Sequence, residues 1–360
     1  MSGYKGVYII AEAGVNHNGS IEMAKSLIDV AVEAGANAVK FQTFKSEKLV
    51  SKYAPKAKYQ TKTTNELETQ LEMLKKFELD LTSHRILIDY CNKKGIQFLS
   101  TPFDIDSVEL LAHTFNIPYI KIPSGEITNA PLLLKVAHTD KPTILSTGMS
   151  TLGEVEIALA VLAFGYTHNT GKPSLSNFLE SYYSKEGQEV LQKRVILLHC
   201  TTEYPSPVNE VNLKVLDTMK VAFGLPVGYS DHTDGITIPI AAVARGAVVI
   251  EKHFTLDKNL PGPDHKASLE PQELVDMIKH IRLVETSLGS SIKIPTFSET
   301  KNIPIARKSL VAAEDIRTGE IFSEYNLTIK RPGNGVSPIN YWDYLGKTSD
   351  KDYKKDEVIQ

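Results

Sequence analysis

The 360-residue sequence predicts a (β/α)8 barrel with a small domain appended at its C-terminus. Three observations carry this reading. Short runs rich in Val and Ile alternate regularly with amphipathic stretches. Eight such pairs occupy about 250–290 residues, the usual size of one (β/α)8 unit. The runs are almost wholly apolar, as strands are when helices cover a parallel sheet.

Taken in order, the strands fall at 7–11, 38–42, 97–100, 119–122, 143–146, 195–199, 227–229 and 248–251. Helices are predicted near 20–34, 83–93, 106–115, 131–138, 152–162, 213–223, 236–245 and 271–288. An open doubly wound sheet is the alternative. Against it, GVNHNG at 14–19 has the wrong spacing for a GxGxxG phosphate turn.

Two segments depart from the repeat. Residues 47–81, with the Lys/Thr-rich run 59–64, predict a long loop with a helical part over the active face, placed to cover or shape a site. Residues 166–192, polar and Ser/Asn-rich, read as a surface excursion before strand six. The pattern then stops, giving a division into a barrel at 1–288, a linker at 289–304 and a small domain at 305–360. In that domain, short strands are expected at 307–312, 319–322 and 327–330, ahead of RPGNG at 331–335. At this size it lies near the lower limit for folding alone, so docking onto a barrel is expected.

With 42% hydrophobic and 23% charged residues, the composition is that of a water-soluble globular protein. The net charge of −3 supplies no basic field for nucleic acid. No apolar run approaches the length of a membrane span, and MSGYK at the start has no signal-peptide layout, so a cytoplasmic location is expected. Cys91 and Cys200 are too few for a disulfide framework and are expected as buried, reduced thiols. Cys200 follows strand six and either packs or faces a site.

Barrel chemistry gathers at the C-terminal ends of the strands. There the sequence places Glu12 with Asn16, His17 and Asn18 after strand one, then Lys40 and Gln42, then Ser100, Thr101 and Asp104. Lys121, Ser124 and Glu126 follow strand four, Ser146 follows strand five, and His199, Thr201, Thr202 and Tyr204 follow strand six. Strands seven and eight bring Ser230, Asp231 and His232, then Lys252 and His253. So many polar groups at one end of a barrel are costly unless they bind something. Two lysines with several hydroxyls suit a phosphate ester or carboxylate. The two imidazoles, each after an apolar run, suit a borderline divalent metal, with Asp231 and Glu251 placed to orient their rings. Each His by itself also fits an ordinary hydrogen-bonded strand end.

The strings AEAGVNHNG (11–19), VKFQT (39–43), LSTPF (99–103), KIPSGE (121–126), LSTGM (145–149), HCTTEYP (199–205), SDHT (230–233), EKHF (251–254) and GPDH (262–265) closely resemble the bacterial sialic acid synthases. ARKSL (306–310) and KRPGNGVSP (330–338) resemble their C-terminal antifreeze-like SAF domain, a β-clip fold. The resemblance implies a transferase of cell-surface polysaccharide biosynthesis. It would condense phosphoenolpyruvate with N-acetylmannosamine, or a close amino-sugar analogue, and water, giving N-acetylneuraminate and phosphate by C–O cleavage.

Position by position, it makes His232 and His253 ligands of a divalent metal, Mn²⁺ first with Mg²⁺ or Co²⁺ as alternatives. Lys40, Thr101, Lys121, Ser124, Ser146 and Ser230 become phosphoenolpyruvate-binding residues. Glu12, Thr202, Tyr204 and Asp264 surround the sugar, and Arg331 reaches the sugar site of the other subunit in a domain-swapped homodimer. Glu12 and Glu126 are the candidate acid/base groups. Thr202 departs from the Asn found in some N-acetylneuraminate synthases. CTTEYP looks more like synthases of N,N'-diacetyllegionaminic acid, which implies 2,4-diacetamido-2,4,6-trideoxymannose as the alternative acceptor. Two other classes compete: another metal-dependent barrel aldolase or isomerase, and a carbohydrate- or ice-binding protein. The last needs a flat, regular Thr or Asn array, which 307–338 does not show.

Overall fold

The computed structural model describes residues 6–57, 61, 64, 68–168 and 171–360. MSGYK and most of the run 59–64 lie outside the described residues. The chain divides into two compact units, Met1–Gly289 and Ser290–Gln360.

The first unit contains eight parallel strands: β1 Tyr8–Gly14, β2 Ala38–Thr43, β3 Gln97–Pro102, β4 Ile120–Ile122, β5 Thr143–Ser146, β6 Val195–His199, β7 Val227–Asp231 and β8 Val249–His253. They pair in the order β3-β2-β1-β8-β7-β6-β5-β4, so β1 joins β8 and the sheet curls on itself. β3 and β4 are neighbours in space at the seam, where no ladder is formed. This is the near-closed barrel that the alternating pattern predicts, and the open doubly wound sheet is ruled out.

The two-residue period of a strand decides which side chains see the lumen. Ile10, Ala38, Leu99, Ile144, Leu198 and Val249 meet in one cluster inside the barrel. The alternate residues Ile9, Ala11, Val39, Phe41, Leu145, Leu197 and Ile250 belong to the larger core shared with the helices. Gly228 has to be glycine on the inner phase, because a Cβ would lie 2.5 Å from the Val249 carbonyl oxygen and 2.7 Å from Leu198. One step above the apolar layer, the same inner phase carries Glu12, Lys40, Thr101, Lys121, Ser146, Cys200, Ser230 and Glu251. The site is therefore a polar storey built on an apolar one.

Two predicted elements of this unit differ from the structure. Residues 166–192 do not form a simple surface excursion; they contain the helices Leu175–Tyr183 and Lys185–Arg194. Ser174 and Ser184 cap them through Asn177 N and Gly187 N, and Phe178 packs edge-on against Phe164 at 5.2 Å. Spacing of the few apolar residues, rather than overall polarity, was the signal to follow. The helix expected at 106–115 is an α-helical Ile105–Glu109 running into a π-helical Leu110–Thr114.

The second unit holds an antiparallel pair, β9 Ser309–Ala312 and β10 Leu327–Lys330, over a small core of Leu310, Ala312, Ile316, Phe322, Leu327, Tyr353 and Ile359. The strand expected at 319–322 is reduced to a single bridge between Ile321 and Thr348.

Candidate active site

A cavity of about 400 Å³ opens at the C-terminal end of the strands. Glu12, Lys40, Thr101, Lys121, Ser124, Ser146, Thr202, Tyr204, Ser230, His232, His253 and Asp264 all line it. These are twelve of the fourteen residues to which the resemblance gives a role. Glu126 is not in the lining; it is half-buried and accepts a hydrogen bond from Asn129 Nδ2 at 2.7 Å. Arg331 belongs to the second unit, where it follows β10 and is exposed.

The floor is an array of buried charges. Lys121 Nζ lies 3.3 Å and Lys40 Nζ 3.6 Å from the Glu251 carboxylate, and Lys40 also touches Glu12 Oε2. Thr101 Oγ1 accepts from Lys40 Nζ at 2.9 Å, and Ser230 Oγ donates to Glu251 at 2.8 Å. Burial pushes the Glu251 carboxyl up, but the Lys121 and Lys40 charges and the Ser230 hydroxyl outweigh it and hold the group at about 2. Burial raises Glu12 to about 7; Lys40 opposes that rise, and the Glu251 charge adds to it. Burial lowers Lys121. At neutral pH the floor therefore holds one firmly ionised carboxylate, two amines and a carboxyl able to keep its proton, a setting ready for an anion.

Several polar atoms in the cavity wall lack partners. Ser146 Oγ, Thr202 Oγ1 and His253 Nδ1 are buried without a hydrogen bond among the described residues. Buried polar atoms are normally satisfied, so three in the lining of one cavity mark where a ligand's polar atoms belong. Gly148 shapes this wall: its N–H donates to Ser124 Oγ at 2.9 Å, and a Cβ would come within 2.4 Å of Thr202 Oγ1 and 2.8 Å of Cys200 Sγ. Cys200 thus faces the site, 3.0 Å from Ser124 Oγ.

The imidazoles of His232 and His253 lie 5.8 Å apart between ring centroids, with the Tyr204 ring 4.2 Å from His232 and 5.8 Å from His253. His232 Nδ1 is 2.6 Å from the Thr201 carbonyl oxygen. A carbonyl can only accept, so Nδ1 carries the proton and Nε2 presents its lone pair. Burial lowers both histidines, His253 well below its usual value. Two neutral imidazoles with open lone pairs are donors that would fit a divalent metal. Among the described residues, no group of three or more His, Cys, Asp or Glu is placed to enclose one.

Some residues expected at the mouth do other work. Asp231 and Glu251 do not hydrogen-bond the ligand rings: Asp231 accepts from Lys252, Tyr229 and Thr233 outside the lumen, and Glu251 serves the lysines. Ser100 bonds Thr43, His199 Nε2 bonds the Val211 carbonyl, and Asp104 caps its helix through Ser107 N. Asn16 fastens the loop to the Phe254 carbonyl and Ser268. Ser100, His199, Asp231 and Lys252 share the outward phase of their strands, which a list of strand-end residues ignores. The segment 47–81, expected over the active face, supplies Leu49, Val50, Met73, Leu74 and Phe77 to the cavity, where with Val15 they form an apolar side that the sequence did not specify residue by residue.

Buried lysines and open imidazoles around one cavity at the strand ends of a barrel define an enzyme-like site for an anionic substrate. Comparison with known proteins gives the family. Residues 27–293 match the NeuB family model and 307–360 the SAF domain model. The chain is 54% identical to N,N'-diacetyllegionaminic acid synthase of Campylobacter jejuni over 99% of both chains. It is 45% identical to the enzyme of that name from Legionella pneumophila, covering 94% of this chain and 89% of that one. Among solved structures, the sialic acid synthetase of Leptospira borgpetersenii in complex with citrate superposes with a TM-score of 0.67 at 32% identity, covering 83% of this chain and 90% of that one. The chain belongs to the NeuB family, the sialic acid and nonulosonic acid synthases, and carries its SAF domain. Within that family, the relatives favour the legionaminic reading over N-acetylneuraminate, the first reading of the sequence.

Proposed function

We propose that this enzyme condenses phosphoenolpyruvate with 2,4-diacetamido-2,4,6-trideoxymannose and water, giving N,N'-diacetyllegionaminic acid and phosphate. The observation that carries the chemistry is the Lys40–Glu251–Lys121 floor beneath the open imidazoles of His232 and His253. The high identity to two synthases of that product supports the choice of sugar.

In this reading Lys40 and Lys121 bind the phosphate and carboxylate, aided by the unpartnered Ser146 hydroxyl and by Ser124. Thr101 and Ser230 hold Lys40 and Glu251 in place. His232 and His253 hold a divalent ion, Mn²⁺ in the first instance, which supplies Lewis-acid polarisation of an aldehyde oxygen. Phosphoenolpyruvate C3 bonds to the aldehyde carbon, water oxygen bonds to C2, and the C2–O bond breaks to release phosphate. The water loses two protons, one ending on the aldehyde oxygen and one on the departing phosphate, and its oxygen becomes the C2 keto oxygen. Glu12, the carboxyl of the floor that burial keeps protonated near neutrality, is positioned to move a proton in this step. Glu126 lies outside the lining and is the weaker candidate. Thr202, Tyr204 and Asp264 face the sugar, and Arg331 completes that site in a second subunit of a homodimer. The enzyme works in the cytoplasm, where phosphoenolpyruvate is available.

The test supplies phosphoenolpyruvate and Mn²⁺ with each of the two sugars in parallel and follows phosphate release and product mass. Turnover of the 6-deoxy diacetamido sugar, with the mass of N,N'-diacetyllegionaminic acid, is expected. Faster turnover of N-acetylmannosamine would make the product N-acetylneuraminate, and silence with both would reject the reading.

A further inference from the structure

The cavity has two chemically different sides. One bears the lysines, carboxylates and imidazoles. The other is built by the segment after β2: Leu49 and Val50 at the end of the short helix Ser46–Leu49, with Met73 and Leu74 on the helix Gln70–Lys75. Met73 and Phe77 are buried in a cluster with Val15 and Phe44 that anchors this side. Leu49, Val50 and Leu74 stay only half-buried, and all three line the cavity. Gln70 stands at the edge of this wall.

Leu49 and Leu74 pack against the Met73–Phe77 cluster on one side, but their burial is incomplete and the remaining apolar surface, with that of Val50, faces the charged cavity. They leave apolar surface in contact with water until a ligand covers it. Phosphoenolpyruvate is ill suited to do so, since its phosphate and carboxylate go to the lysines. The acceptor sugar must cover the wall, and the alkyl groups that distinguish the two candidate sugars are the C6 methyl and the second acetamido methyl. A hydroxymethyl in their place would set a hydroxyl against side chains that can neither donate nor accept a hydrogen bond.

Resting on the synthase reading above, we propose that Leu49, Val50 and Leu74 form an apolar subsite that selects acceptor sugars bearing alkyl groups where N-acetylmannosamine carries hydroxyls. The subsite belongs to this unit alone and acts on the acceptor, not on phosphoenolpyruvate. Discrimination by one such group in an apolar pocket is about 10- to 200-fold.

The test measures kcat/KM for N-acetylmannosamine, its 6-deoxy analogue and 2,4-diacetamido-2,4,6-trideoxymannose with the full-length parent enzyme, Val50→Thr and Leu74→Asn. In the parent, both deoxy sugars should exceed N-acetylmannosamine. In either variant, the ratio of deoxy sugar to N-acetylmannosamine should fall about tenfold, with the KM for phosphoenolpyruvate moving less than that for the sugar. Val50→Thr keeps the side-chain shape, so the test stands even if Leu74→Asn unfolds. Equal loss for all three sugars, or an unchanged ratio, overturns the subsite while leaving the synthase reading intact. A parent enzyme that prefers N-acetylmannosamine also overturns the subsite. Turnover of none of the sugars rejects the synthase reading, and the subsite with it.

Discussion

Lys252 Nζ sits 2.6 Å from Asp231 Oδ2, with both side chains fully buried, directly behind the two cavity imidazoles. The two residues face each other in the β7–β8 ladder and immediately precede His253 and follow Ser230 in the chain, so the pair fixes the strand ends that carry His232 and His253. Tyr229 OH and Thr233 donate to the other Asp231 oxygen at 3.0 and 2.9 Å. Lys252→Met leaves a buried carboxylate without its counter-charge and is expected to cost about 3 kcal/mol, the usual size for one broken partner. Urea unfolding measures this loss. Mn²⁺ affinity should fall alongside it, because the imidazoles lose their fixed spacing; a stability loss with unchanged affinity would confine the pair to a structural role.

His232→Ala removes one of two imidazoles at a strand end, outside the apolar layers. The melting temperature should change little, since the losses are the contact from Nδ1 to the Thr201 carbonyl and ring contacts with Tyr204 and His253 at the cavity wall, not core packing. Titration followed by electron paramagnetic resonance should show Mn²⁺ binding abolished, and kcat should fall at least about 100-fold, as when Lewis-acid stabilisation of several kcal/mol is removed. Full activity after exhaustive chelation would reject the ligand role.

Burial raises the Asp264 carboxyl from its ordinary 3.8 to about 6. A raised carboxyl binds its proton more tightly in the folded state, so stability falls as pH climbs from about 4 through 6, where the buried group must ionise. Asp264→Asn removes that cost. The ligand-free variant should be more stable than its parent by about 3 kcal/mol at pH 7.5 and no more stable at pH 3.5. A stability difference independent of pH would show that the carboxyl does not titrate in this way.

Arg331→Ala tests the second unit. A sugar contact predicts a raised KM for the sugar with a much smaller change for phosphoenolpyruvate. Equal changes in both would place Arg331 elsewhere in the enzyme's work.

The sequence by itself determined the eight-strand repeat, because near-continuous Val/Ile runs separated by amphipathic helices bury well in few arrangements other than a closed parallel sheet. It also determined most of the mouth. A strand-end lysine or imidazole is legible wherever the strand is, and twelve of the selected residues do line one cavity. Tertiary structure decided which of two adjacent residues faces that cavity. His253 and Lys252 are neighbours in the chain, yet one lines the lumen and the other pairs with Asp231 behind it, because side chains alternate across a strand and the phase is set by pairing with β1 and β7. Tertiary structure also decided which side chains of the segment 47–81, expected over the active face, meet the cavity: Leu49, Val50 and Leu74 among them. These ordinary apolar residues on short helices gain meaning only from the polar wall they share the space with, and that wall is contributed by strands far away in the chain.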